Sequence, residues 1–449
     1  MEPTTIEYKA QTVSPRITGE TTLAVTDKGL LLTTPFDAEE IPFAGINALI
    51  LIDYVVTVKA DDGDYVFSKL GNWCKPFYDA LCGAYNKAVL RSLFVKGEPV
   101  VTAKGEYSYT EAAGKAAGAA PVHVYENSVV VLPLNVGARR VPLCFMAGIE
   151  QGDFELTLKL DTGESYTWAK LGYDTAPFAG AIENQMRALR EKSLAAVKEI
   201  DPSLSVAQAA QLAKAVPQGA AASFGQLSGM APSFAAALEK KLEETRAADA
   251  YEAFKEICDP AKIYIGFRKN EAAAEEAAGE QPGLAAAGLP FPGGGLPFPG
   301  GGLSAPAEGL TAQVSDAAPA PEGETGDDDA DEDRSQDPFL LWLIAPSPDG
   351  EFAAVEFAEK DAATFVYKTG GDFEGFARQL SRALEAIGFK REAIRLTEEE
   401  LLKPEYADYY MASKRTAAMR FIRENFVGRV IHSSPETWKR KLMELWGAL

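Results

Sequence analysis

Apolar and polar positions alternate in short runs along the first seventy residues, and the runs are separated by turn-forming pairs. Segments 21–26 and 29–34 flank Asp27-Lys28, and segments 54–59 and 65–69 flank Ala60-Asp61-Asp62-Gly63. Period-two alternation around such turns predicts antiparallel hairpins. The period then lengthens. After Pro76, apolar residues recur about every fourth position at Phe77, Leu81, Tyr85, Val89 and Leu93, which predicts one amphipathic helix. The pattern starts again a hundred residues on. Segments 122–125 and 129–132 flank Glu126-Asn127-Ser128, and Phe178, Ile182, Met186 and Leu189 stripe a second helix. A curled sheet leaves an open end, and a final amphipathic helix covers it.

The two blocks are copies. Segment 41–63 reads IPFAGINALILIDYVVTVKADDG and segment 141–163 reads VPLCFMAGIEQGDFELTLKLDTG, with Pro42/Pro142, Asp53/Asp153, Thr57/Thr157, Lys59/Lys159, Asp61/Asp161 and Gly63/Gly163 identical. After a one-residue slip, Lys69-Leu70-Gly71 matches Lys170-Leu171-Gly172, and Pro76-Phe77 matches Pro177-Phe178. An internal repeat of this length predicts tandem modules of one β-then-α design.

The motifs TTLAVTDKGLLLTT, EEIPFAGI, VTVKADDGDYVFSKLG and PFYDAL resemble the pleckstrin-homology-like (PH-like) fold in its bacterial PH and GRAM-like forms. The resemblance extends over 5–95 and 105–195. It implies two antiparallel β modules, each closed by a C-terminal helix. The family includes lipid binders, peptide binders and tandem modules that bind histones, so the resemblance implies binding without naming a ligand.

The rest of the chain changes character. Residues 199–260 predict helix, with an alanine-rich segment ending at Pro217-Gln218-Gly219 and a long helix over 234–257 that Ser233 can cap. A strand follows at 263–267. Residues 271–338 are low-complexity, with LPFPGGG twice in succession and an acidic run of Asp327, Asp328, Asp329, Asp331, Glu332 and Asp333. That composition predicts disorder, because little apolar area is there to offset ordering entropy. Strands are expected at 339–345, 352–357 and 364–368, then a helix capped by Asp372 and striped by Phe373, Phe376, Leu380 and Leu384. Thr397 and Glu400 form a capping box, and Ser434-Pro435 starts a last helix. The expected division is two PH-like modules at 1–97 and 98–198, a helical segment at 199–260, and a small α+β unit at 261–270 plus 339–389. The insert is 271–338, and a basic helical C-terminus fills 390–449. The fold class is α+β.

Charge alters this picture in one place. The net charge is −21 over 449 residues, but 271–337 hold 15 acidic residues and one basic one. Residues 1–97 and 98–195 each carry 12 acids and 9 bases. Such mildly acidic modules disfavour anionic membranes and nucleic acid. Residues 411–449 carry eight basic and three acidic side chains. The start MEPTTIEYKAQTV has no basic then apolar leader pattern, and the longest apolar run, 46–56, is interrupted by Asn47 and Asp53. A cytoplasmic chain without transmembrane segments is expected.

The residues offer no catalytic set. The two histidines, His123 and His432, stand far apart, and four scattered cysteines form no CxxC pair. The glycine triplets lack a following Lys-Ser/Thr, so no phosphate loop is expected. Asp61-Asp62-Gly63-Asp64 reads as a hairpin turn rather than a cation site. No enzyme activity, metal or cofactor is expected. The expectation is an adaptor or scaffold that binds an unknown protein partner, which the acidic run would permit to be basic. A chaperone-like binder of basic or nucleic-acid-associated proteins is the alternative, and peripheral lipid binding a lesser one. Two leads stand out. Glu39-Glu40 of the first copy align with Arg139-Arg140 of the second, which suggests complementary faces that meet within or between chains. The acidic run is the other, either binding a partner or folding back on the basic C-terminus. The oligomeric state is left open.

Overall fold

The computed structural model describes residues 6–112, 114–217, 219–270, 338–358 and 363–447. The fold is α+β with antiparallel sheets. Met1–Lys269 and Phe339–Leu449 form one compact unit. The expected insert and its acidic run lie outside the described residues.

The first sheet holds β1 (Glu7–Val13), β2 (Thr18–Val25), β3 (Gly29–Thr33), β4 (Ala38–Pro42), β5 (Ile46–Ile52), β6 (Val55–Ala60) and β7 (Gly63–Ser68), in the order β4-β3-β2-β1-β7-β6-β5. Helix α1 (Cys74–Ser92) closes it and buries Phe77, Leu81, Tyr85 and Val89, the expected stripe. The second sheet holds β8 (Val101–Glu111), β9 (Gly114–Val124), β10 (Ser128–Val131), β11 (Arg139–Pro142), β12 (Met146–Gln151), β13 (Glu155–Leu160) and β14 (Ser165–Ala169), in the order β11-β10-β9-β8-β14-β13-β12. This is the first order shifted by seven. Helix α2 (Thr175–Ile200) takes the place of α1.

The copies agree in backbone detail. A 3-10 turn precedes β5 (Phe43–Gly45) and β12 (Leu143–Phe145), and the strand pairing then slips between Ile46 and Ala48, and between Met146 and Gly148. The shared Lys-Leu-Gly also has a conformational cause. Lys69 and Lys170 sit at φ 60° and 57°, and Gly71 and Gly172 at φ 57° and 62°. Left-handed backbone at these positions turns the last strand into the helix, and glycine takes it without a Cβ penalty. The β8–β9 hairpin is legible in sequence only near its end, because the strand GKAAGAAPVHV is rich in residues of low strand propensity. Pairing with β8 along its whole length, from Val101↔Val124 to Glu111↔Gly114, overrides that preference.

The third sheet corrects the expected boundaries. It runs β15 (Ala221–Ser223), β16 (Tyr264–Lys269), β17 (Phe339–Pro346), β18 (Phe352–Phe357), β19 (Ala363–Lys368) and β20 (Phe426–Ile431), in sequence order. Segments 199–260 and 390–449 are therefore not separate helical regions, since each gives this sheet an edge strand. FVGRVI carries β-branched residues and pairs with β19, so the C-terminus is interrupted by a strand. Both faces are covered. One packs under α3 (Val206–Ala215), α4 (Phe224–Met230), α5 (Pro232–Glu243) and α6 (Ala248–Ile257). The other packs against α7 (Phe373–Ala386), α8 (Glu392–Arg395), α10 (Ala407–Arg415) and α11 (Ala417–Glu424), with the short α9 (Glu398–Leu401) preceding α10, while α12 (Pro435–Leu445) returns to the first face. Two-sided burial explains the near-continuous apolar runs of β17 to β19. At Gly266 a Cβ would stand 2.1 Å from the Trp342 ring, so only glycine lets that indole cross the strand.

The expected single helix over 234–257 is two. Thr245 donates its hydroxyl to the Leu242 carbonyl at 2.7 Å and accepts from the Ala247 amide at 3.2 Å, which breaks the ladder between α5 and α6. Ser233 is not the cap, because Ala231 holds that position with Pro232 at the first turn. Asp372 and the Thr397/Glu400 box cap as expected.

Candidate docking groove

Each module leaves a groove between its 3-10 turn and its closing helix. In the first module the chain fills it with its own α10. Lys414 Nζ donates to the Ala44 carbonyl at 2.9 Å and pairs with Asp61, and Tyr410 Oη donates to Asp61 at 3.0 Å. Arg415, fully buried, donates to the Ile46 carbonyl at 3.0 Å and to Tyr85 Oη at 2.6 Å. Met411 is buried in the module core, and Asp408 meets Arg91 Nε at 3.4 Å. α10 thus places an acid over the end of α1, one cation over its middle and one on the 3-10 turn and Asp61.

The electrostatics record the fit. Burial raises the Asp61 pKa, but hydrogen bonds from Lys414 and Asn47 outweigh it and leave the carboxyl below its usual range. Burial lowers the Lys414 pKa, opposed by Asp61. Burial raises the Tyr85 pKa, and the Arg415 charge works against that rise.

In the second module the equivalent space is a cavity of about 940 Å³. The residues that grip α10 in the first module are Ala44, Ile46, Asp61 and Tyr85. By the repeat alignment, their counterparts are Cys144, Met146, Asp161 and Met186, and all four line the cavity. Leu143, Phe145 and Leu189 add apolar floor, and Arg187, Arg190, Lys214 and Arg378 bring positive charge from α2, α3 and α7. Among the described residues, Asp161 makes no side-chain ion pair or hydrogen bond to another side chain. Burial raises its pKa, opposed by the Arg378 charge. Cys144 is pushed well up, first by burial and then by the Glu385 charge.

The residues singled out in the sequence fall elsewhere. Glu39 is buried on β4, accepts from Tyr65 Oη at 2.8 Å and meets Arg16 Nε at 3.5 Å. Glu40 is exposed. Arg139 pairs with Glu111 at 3.0 Å inside its own module, and Arg140 reaches Glu385 of α7 at 2.6 Å. Within the chain these two pairs do not face each other, because each nearly buried charge is matched locally. Asp327, Asp328, Asp329, Asp331, Glu332 and Asp333 lie outside the described residues. Most basic side chains of the C-terminus are engaged within the fold, while Arg429 and Lys441 are exposed. Lys414 and Arg415 anchor α10, Arg420 donates to the Ser413 and Lys414 carbonyls, Arg423 pairs with Glu398, and Lys439 with Glu256.

His432 belongs to a structural knot. Its Nε2 lies 3.1 Å from Glu356 and 3.3 Å from Thr364 Oγ1, which accepts from Trp438 Nε1 at 2.8 Å and donates to Glu356 at 2.6 Å. Two strands, the last helix and the loop before it are tied through one hydroxyl. Among the described residues, no group of histidine, cysteine and carboxylate side chains is arranged to hold a metal, and no helix is long and apolar enough to cross a membrane.

The groove is not legible in the sequence because its parts are distant along the chain. Asp61/Asp161 stand out as an identical pair and read as turn residues. Their amides tie that hairpin turn to the 3-10 turn, donating to the Gly45 and Phe145 carbonyls at 3.0 Å. Their carboxylates point to a second use. Neither a protein-family model nor a curated protein matches the chain.

Proposed function

We propose that the chain is a non-enzymatic, cytoplasmic scaffold of two PH-like modules, and that it binds a protein partner in the open groove of the second. The shared strand order and the closing helices support the PH-like assignment. One observation carries the binding reading: the four positions that hold α10 in the first module line an open cavity in the second. An apolar floor with a few converging charges is the makeup of a recognition site. The engagement of Lys414, Arg415, Arg420, Arg423 and Lys439 within the fold counts against the C-terminus as a landing strip for the acidic run.

The test is a selection of displayed random linear peptides on the full chain, with counterselection on Leu189→Trp, which fills the groove. Peptides that bind the wild-type chain and not the variant are expected. If every enriched peptide binds both proteins equally, the groove is not the binding site.

A further inference from the structure

We infer that the occupant of the open groove is an amphipathic helix from a partner protein, carrying a Lys or Arg that pairs with Asp161. The inference rests on the binding reading above and names the ligand's chemistry. It starts from the repeat. Two copies of one scaffold share the 3-10 turn, the strand slip after it and the closing helix, so equivalent positions present equivalent surfaces. What the first copy's surface accepts is known in atomic detail, and it is a helix.

The clasp on the cation of that complex has its counterpart. The cation of α10 is held by Asp61 and by the Ala44 carbonyl, and Asp161 and Cys144 stand in the same places beside the cavity. The Asp161 carboxyl lines the cavity and is exposed to it, with a raised pKa and without the side-chain hydrogen bonds that Asp61 receives, and an arriving ammonium or guanidinium supplies them. The apolar Met411 of α10 is buried in the first module's core, and Met186 with Leu189 offers the second cavity an adaptable apolar floor. The acid of α10 meets Arg91 on the last turns of α1. By the same alignment Arg91 corresponds to Lys192, which pairs with Glu126, and the α2 cations that line the cavity, Arg187 and Arg190, stand at earlier positions of that helix. Asp408 and Lys414 are less than two helical turns apart. The partner helix therefore carries a carboxylate, then a Lys or Arg one to two turns later, with apolar residues between on one face. This is helix-in-groove recognition, the mode by which the first copy holds α10.

The chain supplies its own probe. A labelled peptide of residues 404–417, held helical by a lactam across its outward face, is titrated into the full-length protein and followed by anisotropy. In that protein the first groove already holds α10, so the second is the vacant copy. Binding is expected, with a loss of tenfold or more on Asp161→Asn and on Leu189→Trp, and no change on Asp61→Asn. A peptide bearing Lys414→Glu should bind weakly to the wild type and recover on Asp161→Lys. Thermal melts confirm that each variant is folded. Loss with Leu189→Trp but not with Asp161→Asn would leave the groove as the binding site and overturn the paired helix. Absence of binding, or binding unaffected by Leu189→Trp, would overturn the helix as well, and the fate of the groove would then rest on the peptide selection. Selected groove binders lacking the acid–base helical pattern would sink the inference while leaving the binding reading intact.

Discussion

The two modules are built alike and finished differently. Both sheets have the same strand order, both turn into their helices through a left-handed Lys and Gly, and both place an aspartate at the groove mouth. In the first, that aspartate is clasped by Lys414, Asn47 and Tyr410. In the second it faces a cavity. A scaffold is therefore kept twice within one chain, with equivalent surfaces that pack against α10 in one copy and line an open cavity in the other. The divergent positions make the difference. Tyr85, whose hydroxyl accepts from Arg415, becomes Met186, and the small Val89 becomes the charged Arg190.

The largest effect should come from the charges that differ most between the copies. Reversing Arg139 and Arg140 to Glu sets carboxylates against Glu111 and Glu385, both nearly buried, and should cost about 4 kcal/mol or more. Reversing Glu39 and Glu40 to Arg removes one of two acceptors of the Tyr65 hydroxyl, Asp62 being the other at 2.8 Å, and should cost less. Because the partners are separate, the fourfold swap should show the sum of the two losses in denaturant unfolding. Recovery toward wild-type stability would mean that the two pairs do meet, and that the modules are joined through them rather than through α7 and α10.

Next is the plug itself. Arg415→Ala removes hydrogen bonds to Tyr85 Oη and the Ile46 carbonyl and leaves a hole under α10. A loss of about 2–4 kcal/mol is expected, with faster hydrogen exchange in α1 and the Phe43–Gly45 turn. Exchange in α2 and the Leu143–Phe145 turn should be unchanged. Equal loosening of both modules would deny that α10 is specific to one groove.

How much of this can be read from the chain follows the range of the interactions. The hairpins, both closing helices, the Asp372 cap and the Thr397/Glu400 box are set by residues within a few positions of each other, and they are legible. The shared Lys-Leu-Gly is visible as identity, though its cause is a backbone angle. What fails depends on distance. FVGRVI becomes a strand because the edge of β19 needs a partner, and nothing in the neighbouring helices announces it. Lys414 and Arg415 read as part of a basic surface, yet one is clasped and the other fully buried, 330 residues along the chain from Tyr85. The cavity draws walls from α2, α3, the third sheet and α7, so no local pattern outlines it.

The smallest predicted effect is also the cleanest contrast, because it has opposite signs in the two copies. Asp61 has its pKa lowered in the folded protein, from a usual 3.8. It therefore adds stability above that pH, and the gain is lost as pH falls through the folded value. Asp161 has its pKa raised from the same 3.8. Its folded form holds the proton more tightly, so stability is greatest below 3.8 and is lost as pH rises through the raised value. At pH 7 Asp61→Asn should destabilise by roughly 0.5–1 kcal/mol, a figure kept small because that carboxylate is partly exposed to solvent. Asp161→Asn should leave the melting temperature unchanged or raise it by about a degree or two, since an ionised, poorly compensated carboxylate is replaced by a neutral amide of the same shape. Thermal melts of both variants from acid to neutral pH check the signs. The Asp61→Asn curve should converge with wild type at the acid end, and the Asp161→Asn curve should meet or exceed it at neutral pH. If both variants lose stability alike at neutral pH, Asp161 has a compensating partner in the free protein, and the groove of the second module is not waiting for a cation.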